Sequence, residues 1–322
     1  MENKKSFKLS IPVSIIIAGA MLSGAWMYNN WVNLPSTQQK TIVARNKALQ
    51  AQKTELEERV LPSGGVELPA TWGDLGKKLI SAGVIDERVF RDVYAGQFTD
   101  EYEKFLSENN EGKIKITEDN AGYLLNLFWA LGLSNGNVIL NDPREMRNPQ
   151  YGGAAGFAST GGWTVAVGSA MDHYNRHIFF ELTPEQQTMV DKISRGIYRP
   201  CCGNSTHFPD CNHGMAMLGL LELMASQGAS EQDMWKAALA VNSYWFPDTY
   251  LTLATYMEGK GIEWKDVNPQ EILGINYSSN SGFSKIASQV STPTQTGGGS
   301  GCDVGAERLA PVEQRQQSGC GI

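Results

Sequence analysis

Five side chains able to bind a transition metal lie close together in the stretch RPCCGNSTHFPDCNHGMAM, residues 199–217. They are Cys201, Cys202, His207, Cys211 and His213. Thiolate sulfur and imidazole nitrogen are ligands that zinc and copper prefer, and nearby methionine would suit copper as well. The spacing C-C-x4-H-x3-C-x-H differs from the paired C-x2-C motifs of a zinc ribbon. The stretch therefore predicts a copper or zinc site. Because the adjacent Cys201 and Cys202 tend to point apart, we expect one of these two to bind the ion and the other to pair elsewhere.

The same residues allow two other kinds of chemistry. Cys201 or Cys202 could form a disulfide with Cys211, either as a fixed staple or as an exchanging pair. A nucleophilic thiol is the third interpretation, with Cys202 beside His207 or His213, but no group can be assigned to orient the histidine. A loop that leads into a helix N-terminus also favours the thiolate form of a cysteine. A metal site, a disulfide and a reactive thiol all stay open at this point.

Other polar residues could contribute to this site or lie apart from it. His173 and His177 are four residues apart and would share one face of a helix, although two separate surface or capping histidines are the simpler interpretation. Asp210 could support a ligating histidine, but a turn residue is again the simpler interpretation. Cys302 and Cys320 lie beside glycines near the C-terminus, where they could carry metal, exchange disulfides or pair with each other.

The N-terminal residues indicate the compartment. Residues 9–28 carry no charge over a length that spans a hydrocarbon core as a helix, and Lys4, Lys5 and Lys8 precede them. Positive charge before the span places the N-terminus in the cytoplasm. We therefore expect a single-pass anchor in the cell membrane (residues 1–33) and an extracytoplasmic location for the bulk of the chain, in preference to a cleaved signal peptide.

Cysteine count and composition narrow the range of partners. Five cysteines are an odd number, so at least one is free, metal-bound or paired with another chain. The net charge of −7 and the lack of a basic patch in the sequence argue against nucleic acid as a partner. The expected partners are the membrane, through residues 9–28, and a metal ion or a thiol partner protein. A hydrophobic content of 41% is enough for a sizeable core.

The fold class predicted for the chain is mainly α. Residues 34–65 are polar and rich in helix formers, which predicts a helical stalk or linker. Residues 66–285 predict a compact multi-helix domain that presents the Cys/His loop. Residues 286–322 are rich in Gly and Ser and predict a disordered tail. Turn signals dominate residues 134–165, a loop-rich insertion that we predict covers the cysteine loop.

Local signals place the ends of the helices. Pro200 should end the helix that precedes the cysteine loop, and an apolar helix should follow that loop. Residues 164–167 predict a short strand. Side chains suited to helix N-caps occur at Thr71, Asp86, Thr183 and Ser230.

Part of this region resembles a known family. The motif PCCG, then His207, then Asp210 and Cys211, then an apolar helix and MASQGASEQDMWKA resemble the bacterial exported proteins named for a Pro-Cys-Tyr-Cys-Gly-Cys motif. The resemblance covers about residues 199–245 and extends more distantly to the thiol subunit of cytochrome c maturation. It implies an envelope-attached protein with a metal-binding role in the first case, and thiol–disulfide or haem-attachment chemistry in the second. The tyrosine and the third cysteine of the motif are absent here, and so is a lipid-anchor cysteine.

Together these patterns predict a membrane-anchored, extracytoplasmic metal-binding protein that holds copper or zinc in its Cys/His loop. A membrane-tethered thiol–disulfide redox protein is the first alternative, and an envelope scaffold with a structural disulfide is the second. No reaction is identified, so we expect the chain to bind rather than to catalyse.

Overall fold

A computed structural model describes residues 36–290 of the chain. The predicted membrane anchor over residues 9–28 lies outside this range, as do Cys302, Cys320 and most of the predicted tail. Between residues 36 and 290, no helix is both long enough and apolar enough to cross a membrane.

The described part of the chain is mainly helical, with one two-stranded antiparallel sheet. Its elements in chain order are α1 Ser36–Val60, β1 Val66–Gly73, α2 Leu75–Ser81, α3 Glu87–Val93, α4 Asp100–Ser107, β2 Asn110–Ile116, α5 Ala121–Ser134, α6 Ala158–Gly161, α7 Ala170–His173, α8 Pro184–Gly196, α9 Asn212–Ser226, α10 Glu231–Trp245, α11 Pro247–Gly259, α12 Pro269–Ile272, α13 Ile275–Ser278 and α14 Asn280–Ala287. The mainly α fold class is therefore confirmed.

The side chains of helix α1 change from exposed to buried near its C-terminal end. Leu49 is exposed, as expected for a helix that is polar on all sides. The compact unit begins at Leu56, and both Leu56 and Val60 are buried in its core. The last turn of α1 thus belongs to the folded unit.

A β-strand forms where the sequence predicted the start of a helix. Thr71 lies inside β1, so its predicted role as an N-cap is wrong, and α2 starts after Asp74. Alternate residues of β1 face the core, among them Leu68 and Trp72, which is the period-2 pattern of a strand with one buried side. Strand β2 pairs with β1 from Val66 opposite Ile116 onward. The strand predicted over residues 164–167 does not form.

The other three predicted N-caps are confirmed. The side chain of Asp86 accepts a hydrogen bond from the backbone of α3, and that of Ser230 accepts one from the backbone of α10. Thr183 and Gln186 form a reciprocal capping box at the start of α8.

Helices α5 and α9 form the most extensive helix–helix contact of the described chain. Their backbones touch where Gly132 meets Gly219. A Cβ at Gly132 would lie 2.1 Å from the carbonyl oxygen of Met215, and a Cβ at Gly219 would lie 2.3 Å from that of Phe128. Because only glycine permits this approach, the position of α9, and of the residues at its N-terminus, is tightly constrained.

The loop-rich insertion packs directly on the cysteine loop. The backbone of Ser159 donates a 3.0 Å hydrogen bond to the carbonyl of Asp210. The rings of Tyr151 and Phe208 stack with centroids 5.5 Å apart. These contacts show that part of the loop-rich insertion packs against the cysteine loop, as the prediction requires.

Candidate metal centre

The cysteine loop connects α8 to α9 and is fixed at several points. Its backbone returns to the end of α8, where the amide of Thr206 donates to the carbonyl of Ile197 at 2.8 Å. Asn280, at the start of α14, donates through its backbone N–H to the carbonyl oxygen of Cys202 at 3.0 Å. Its side-chain amide donates to the carbonyl oxygen of Pro200 at 3.3 Å. The cysteines therefore lie on a loop that is held from both sides.

Three cysteines and one histidine meet at the N-terminus of α9. Cys201 Sγ and Cys211 Sγ are 3.8 Å apart, so no disulfide joins them. One donor atom from each of Cys201, Cys211 and His213 lies within 4.8 Å of the others, and the same holds for Cys202, Asp210 and Cys211. We call Cys201, Cys202, Cys211 and His213 the thiol cluster. Cys211 belongs to both groups and is its centre.

A buried arginine supports this cluster. The guanidinium of Arg199, which is only 1% exposed, donates to Cys211 Sγ at 2.9 Å and to Asp210 Oδ1 at 2.6 Å. It also donates to the carbonyls of Asn204 and Phe208 at 3.2 and 3.0 Å. Since a guanidinium is always charged in proteins, Arg199 brings a permanent positive charge to the sulfur of Cys211.

Gly214 makes room for this arginine. A Cβ at Gly214 would lie 2.5 Å from the guanidinium carbon of Arg199. The first turn of α9 can therefore pass beneath the guanidinium only because residue 214 has no side chain.

The cluster favours one thiolate, on Cys211. Contacts from Cys201 and Cys202 lower the pKa of the Cys211 thiol well below its ordinary value, and Arg199 lowers it further, which together outweigh its burial. Cys211 is also the N-cap of α9, where the helix dipole favours negative charge. The pKa of Cys202 is raised to about 12, because the effect of Cys211 and burial outweigh the lowering contact with Cys201.

His213 presents a nitrogen with no protein partner. The residue is 3% exposed and lies against the rings of Trp245 and Phe246, with centroids 5.8 and 4.4 Å away. Among the described residues, nothing forms a hydrogen bond with its Nδ1. A buried polar atom left in this state is costly unless a ligand completes it.

His207 lies in a different place from the other four predicted ligands. Its Nδ1 is 2.5 Å from Glu145 Oε2, and its Nε2 is 2.9 Å from Asp191 Oδ1 and 2.7 Å from Arg195 Nη2. We call His207, Glu145, Asp191 and Arg195 the histidine cluster. Asp142 lies close enough to offer a carboxylate oxygen to the same group. The structure thus brings together four of the five predicted ligands and places His207 with carboxylates from the insertion and α8.

His173 and His177 interact with each other and belong to neither cluster. His173 Nδ1 lies 3.0 Å from His177 Nε2, and the two rings stack with centroids 5.3 Å apart. Burial and the neighbouring His173 lower the pKa of His177. The other ring nitrogen of His173 contacts the carbonyl of Val167 at 2.9 Å, so this pair serves local packing.

Arg199 is the residue that the sequence patterns did not identify. Arginine is not a metal ligand, so a search for ligand types passes over it. Its position directly before Pro200 and the cysteines was the available signal, because a buried thiolate needs a nearby cation. Asp210, interpreted as a turn residue, instead pairs with Arg199 while its other oxygen accepts from Asn204 at 2.7 Å.

Comparison with known proteins gives no relative for this chain. No protein-family model, no curated protein and no solved structure matches it.

Proposed function

We propose that this chain is a metal-binding protein whose ion is held by Cys201, Cys211 and His213, with Cys202 as an additional thiol. One observation carries the proposal. One ring nitrogen of the buried His213 lies in a group with the sulfurs of Cys201 and Cys211, the three donor atoms being within 4.8 Å of one another, and Nδ1 of this ring has no hydrogen-bond partner among residues 36–290.

The spacing of the sulfurs suits one shared ion. Two sulfurs that each lie about 2.3 Å from a zinc ion, at the tetrahedral angle, are about 3.8 Å apart. Cys201 Sγ and Cys211 Sγ are 3.8 Å apart. Little movement of the loop is then needed to accommodate the ion.

Charge balance favours a divalent ion. Arg199 and Asp210 form an ion pair and cancel each other. Two thiolates, on Cys201 and Cys211, would cancel the charge of Zn²⁺, while a monovalent copper ion would leave a buried negative charge. The methionines next to the loop, Met215 and Met217, are part of the hydrophobic core. Zinc is therefore the ion we expect first, and copper second.

Metal analysis of the purified chain tests the proposal. Protein reconstituted with zinc under reducing conditions should hold about one ion per chain, and Cys211→Ser should abolish this binding. His177→Gln is the matched control, because His177 belongs to neither cluster and its loss should leave the stoichiometry unchanged. A wild-type chain that holds no ion after reconstitution would overturn the proposal.

Thiol–disulfide exchange is the second candidate. The observation in its favour is that the sulfur of Cys211 accepts a hydrogen bond from the Arg199 guanidinium at 2.9 Å, with the sulfur of a part-buried Cys201 3.8 Å away. A redox protein would purify with little metal and with a disulfide that reduces and reforms at a moderate potential. An inert disulfide would instead favour the scaffold alternative.

The cellular setting is a further part of the proposal. The uncharged residues 9–28 after three lysines support a single-pass membrane anchor, with the metal centre on the extracytoplasmic side. Fractionation of cells that express the full chain, with protease added from outside, tests this topology.

A further inference from the structure

We infer that the thiol cluster, together with Asp210, forms two overlapping ion positions that share Cys211, and that an ion passes from one position to the other. The outer position is formed by Cys202, Asp210 and Cys211, and the inner by Cys201, Cys211 and His213. The inference rests on the proposed metal-binding function and deepens it, because it gives Cys202 and Asp210 the task of receiving the ion from a carrier.

The donor groups themselves suggest this arrangement. Within each group every donor atom lies within 4.8 Å of the others, yet no single group contains all five residues. One ion thus cannot use all of these donors without movement of the loop. Only Cys211 is common to both groups, so it can hold the ion while the other ligands change.

Burial distinguishes the two positions. The inner position has two buried donors, Cys211 and His213, and a single part-buried one. The outer position has Asp210, with a side chain that is 21% exposed, in place of the buried His213. A carrier therefore meets Asp210 before it meets His213.

The donor types fit a transfer in this direction. The outer position offers a carboxylate, a harder ligand that binds zinc or copper(I) less firmly than imidazole or thiolate does. The inner position has the buried imidazole of His213 in place of this carboxylate. The ion would therefore gain a better ligand as it moves inward.

The steps are ligand exchanges that leave every oxidation state unchanged. The Cys202 thiol loses a proton to solvent, and Cys202, Asp210 and Cys211 bind the ion as its bonds to the carrier break. The Cys201 thiol then loses a proton to solvent, bonds from Cys201 and His213 to the ion form, those from Cys202 and Asp210 break, and Cys202 regains a proton, while Cys211 stays bound throughout. The carrier that fits this exchange is a protein or small molecule that presents the ion on thiolates.

Stopped-flow transfer of zinc from its complex with the chromophoric chelator 4-(2-pyridylazo)resorcinol to the reduced chain tests this inference. In Cys202→Ser the transfer rate should fall about tenfold, equivalent to the loss of ~1.4 kcal/mol of stabilisation in the transfer step, while the equilibrium affinity stays near that of the wild type. Asp210→Asn should show the same pattern more weakly. Cys201→Ser is the matched control, and it should lose affinity.

Each result has a distinct meaning. If Cys202→Ser receives zinc at the wild-type rate, the outer position does not exist. If it loses affinity as strongly as Cys201→Ser, Cys202 is a permanent ligand and the two-position scheme is wrong. Thermal unfolding of each variant shows whether its fold is retained, and Cys202→Ala provides a second substitution of the same thiol. A wild-type chain that takes up no zinc would instead overturn the proposed function itself, and with it this inference.

Discussion

Two polar clusters, each with a buried histidine, meet at the loop between α8 and α9, and their histidines differ in how many ring nitrogens have protein partners. In the histidine cluster, both ring nitrogens of His207 contact charged groups, Glu145 on one side and Asp191 with Arg195 on the other. In the thiol cluster, His213 Nδ1 has no hydrogen-bond partner in the described chain. Both ring nitrogens of the histidine in the first cluster therefore have protein partners, while the histidine in the second cluster has one ring nitrogen without a hydrogen bond from the described residues.

This difference favours the thiol cluster over the histidine cluster as the position of the proposed ion. A buried histidine whose two nitrogens have protein partners contributes to the stability of the fold and has little reason to bind a ligand. A buried histidine with a nitrogen left over carries a cost that a bound ion would remove. Residue type alone cannot distinguish His207 from His213, but their surroundings can.

The largest expected effect comes from the two arginines. Arg199 is buried and donates hydrogen bonds to Asp210 and Cys211, whereas Arg195 is half-exposed and pairs with Asp191. Arg199→Met should lower the free energy of unfolding by ~3–5 kcal/mol, because it leaves buried negative charge uncompensated. Arg195→Met should cost about 1 kcal/mol or less. Urea denaturation measures both, and similar losses for the two variants would show that the clusters are equally dependent on their cations.

A buried acid with no ion-pair partner among residues 36–290 calibrates this comparison. Glu222 on α9 is fully buried, one of its oxygens accepts a hydrogen bond from Asn135 at 2.8 Å, and burial raises its pKa to about 8. Between the ordinary carboxyl pKa and pH 8, the folded chain holds a proton that the unfolded chain lacks. Its contribution to stability therefore falls as pH rises through this window, by up to about 1.4 kcal/mol per pH unit, and levels off above it.

Replacing this acid isolates its contribution. Glu222→Gln keeps the shape and cannot ionise, so the decline in the urea midpoint between pH 5 and 8 should be weaker than in the wild type. An unchanged pH dependence would mean that Glu222 does not hold a proton at neutral pH, and that buried charge in this fold is tolerated more easily than the arginine comparison assumes.

The two histidines should show opposite responses. His207→Gln leaves Glu145 and Asp191 without the imidazole and should lower the free energy of unfolding by ~1–3 kcal/mol, while zinc stoichiometry stays the same. His213→Gln should weaken zinc binding by at least about tenfold and change the stability of the metal-free chain less. Urea denaturation of both variants measures the loss of stability, and zinc titration measures the loss of binding. Loss of zinc in His207→Gln at full stability would reverse the roles of the two clusters.

The sequence predicted the helices best where their signals are local. The caps at Asp86, Thr183 and Ser230 form because each side chain bonds to the backbone of its own first turn. The sequence did not predict the two-stranded sheet, because β1 pairs with β2 about forty residues later in the chain. Such pairing depends on contacts that no short stretch of sequence contains. Thr71 satisfies a cap pattern, but the cross-strand partner decides its conformation.

The candidate site was predictable to a similar extent. Ligand types and the loop between two helices are local features, and four of the five candidates do meet. The fate of His207 depends on Glu145 and Asp191, which lie 62 and 16 residues away in the chain. The role of Arg199, which lies in the loop, likewise depends on Gly214 in the first turn of α9. Only the packed structure brings these groups together.

The smallest expected effect tests how closely Arg199 must approach the cluster. Gly214→Ala keeps the positive charge but places a methyl group 2.5 Å from the guanidinium carbon, so Arg199 must shift. The pKa of Cys211, which contacts with Cys201 and Cys202 and then Arg199 hold low, should rise, and the alkylation profile of the reduced chain should move toward higher pH. Zinc affinity should fall by about tenfold or less, since the ligands themselves are intact. An unchanged profile in a folded variant would mean that the two neighbouring thiols alone keep Cys211 ionised. The contrast between the clusters would then lie in their donors and not in their arginines.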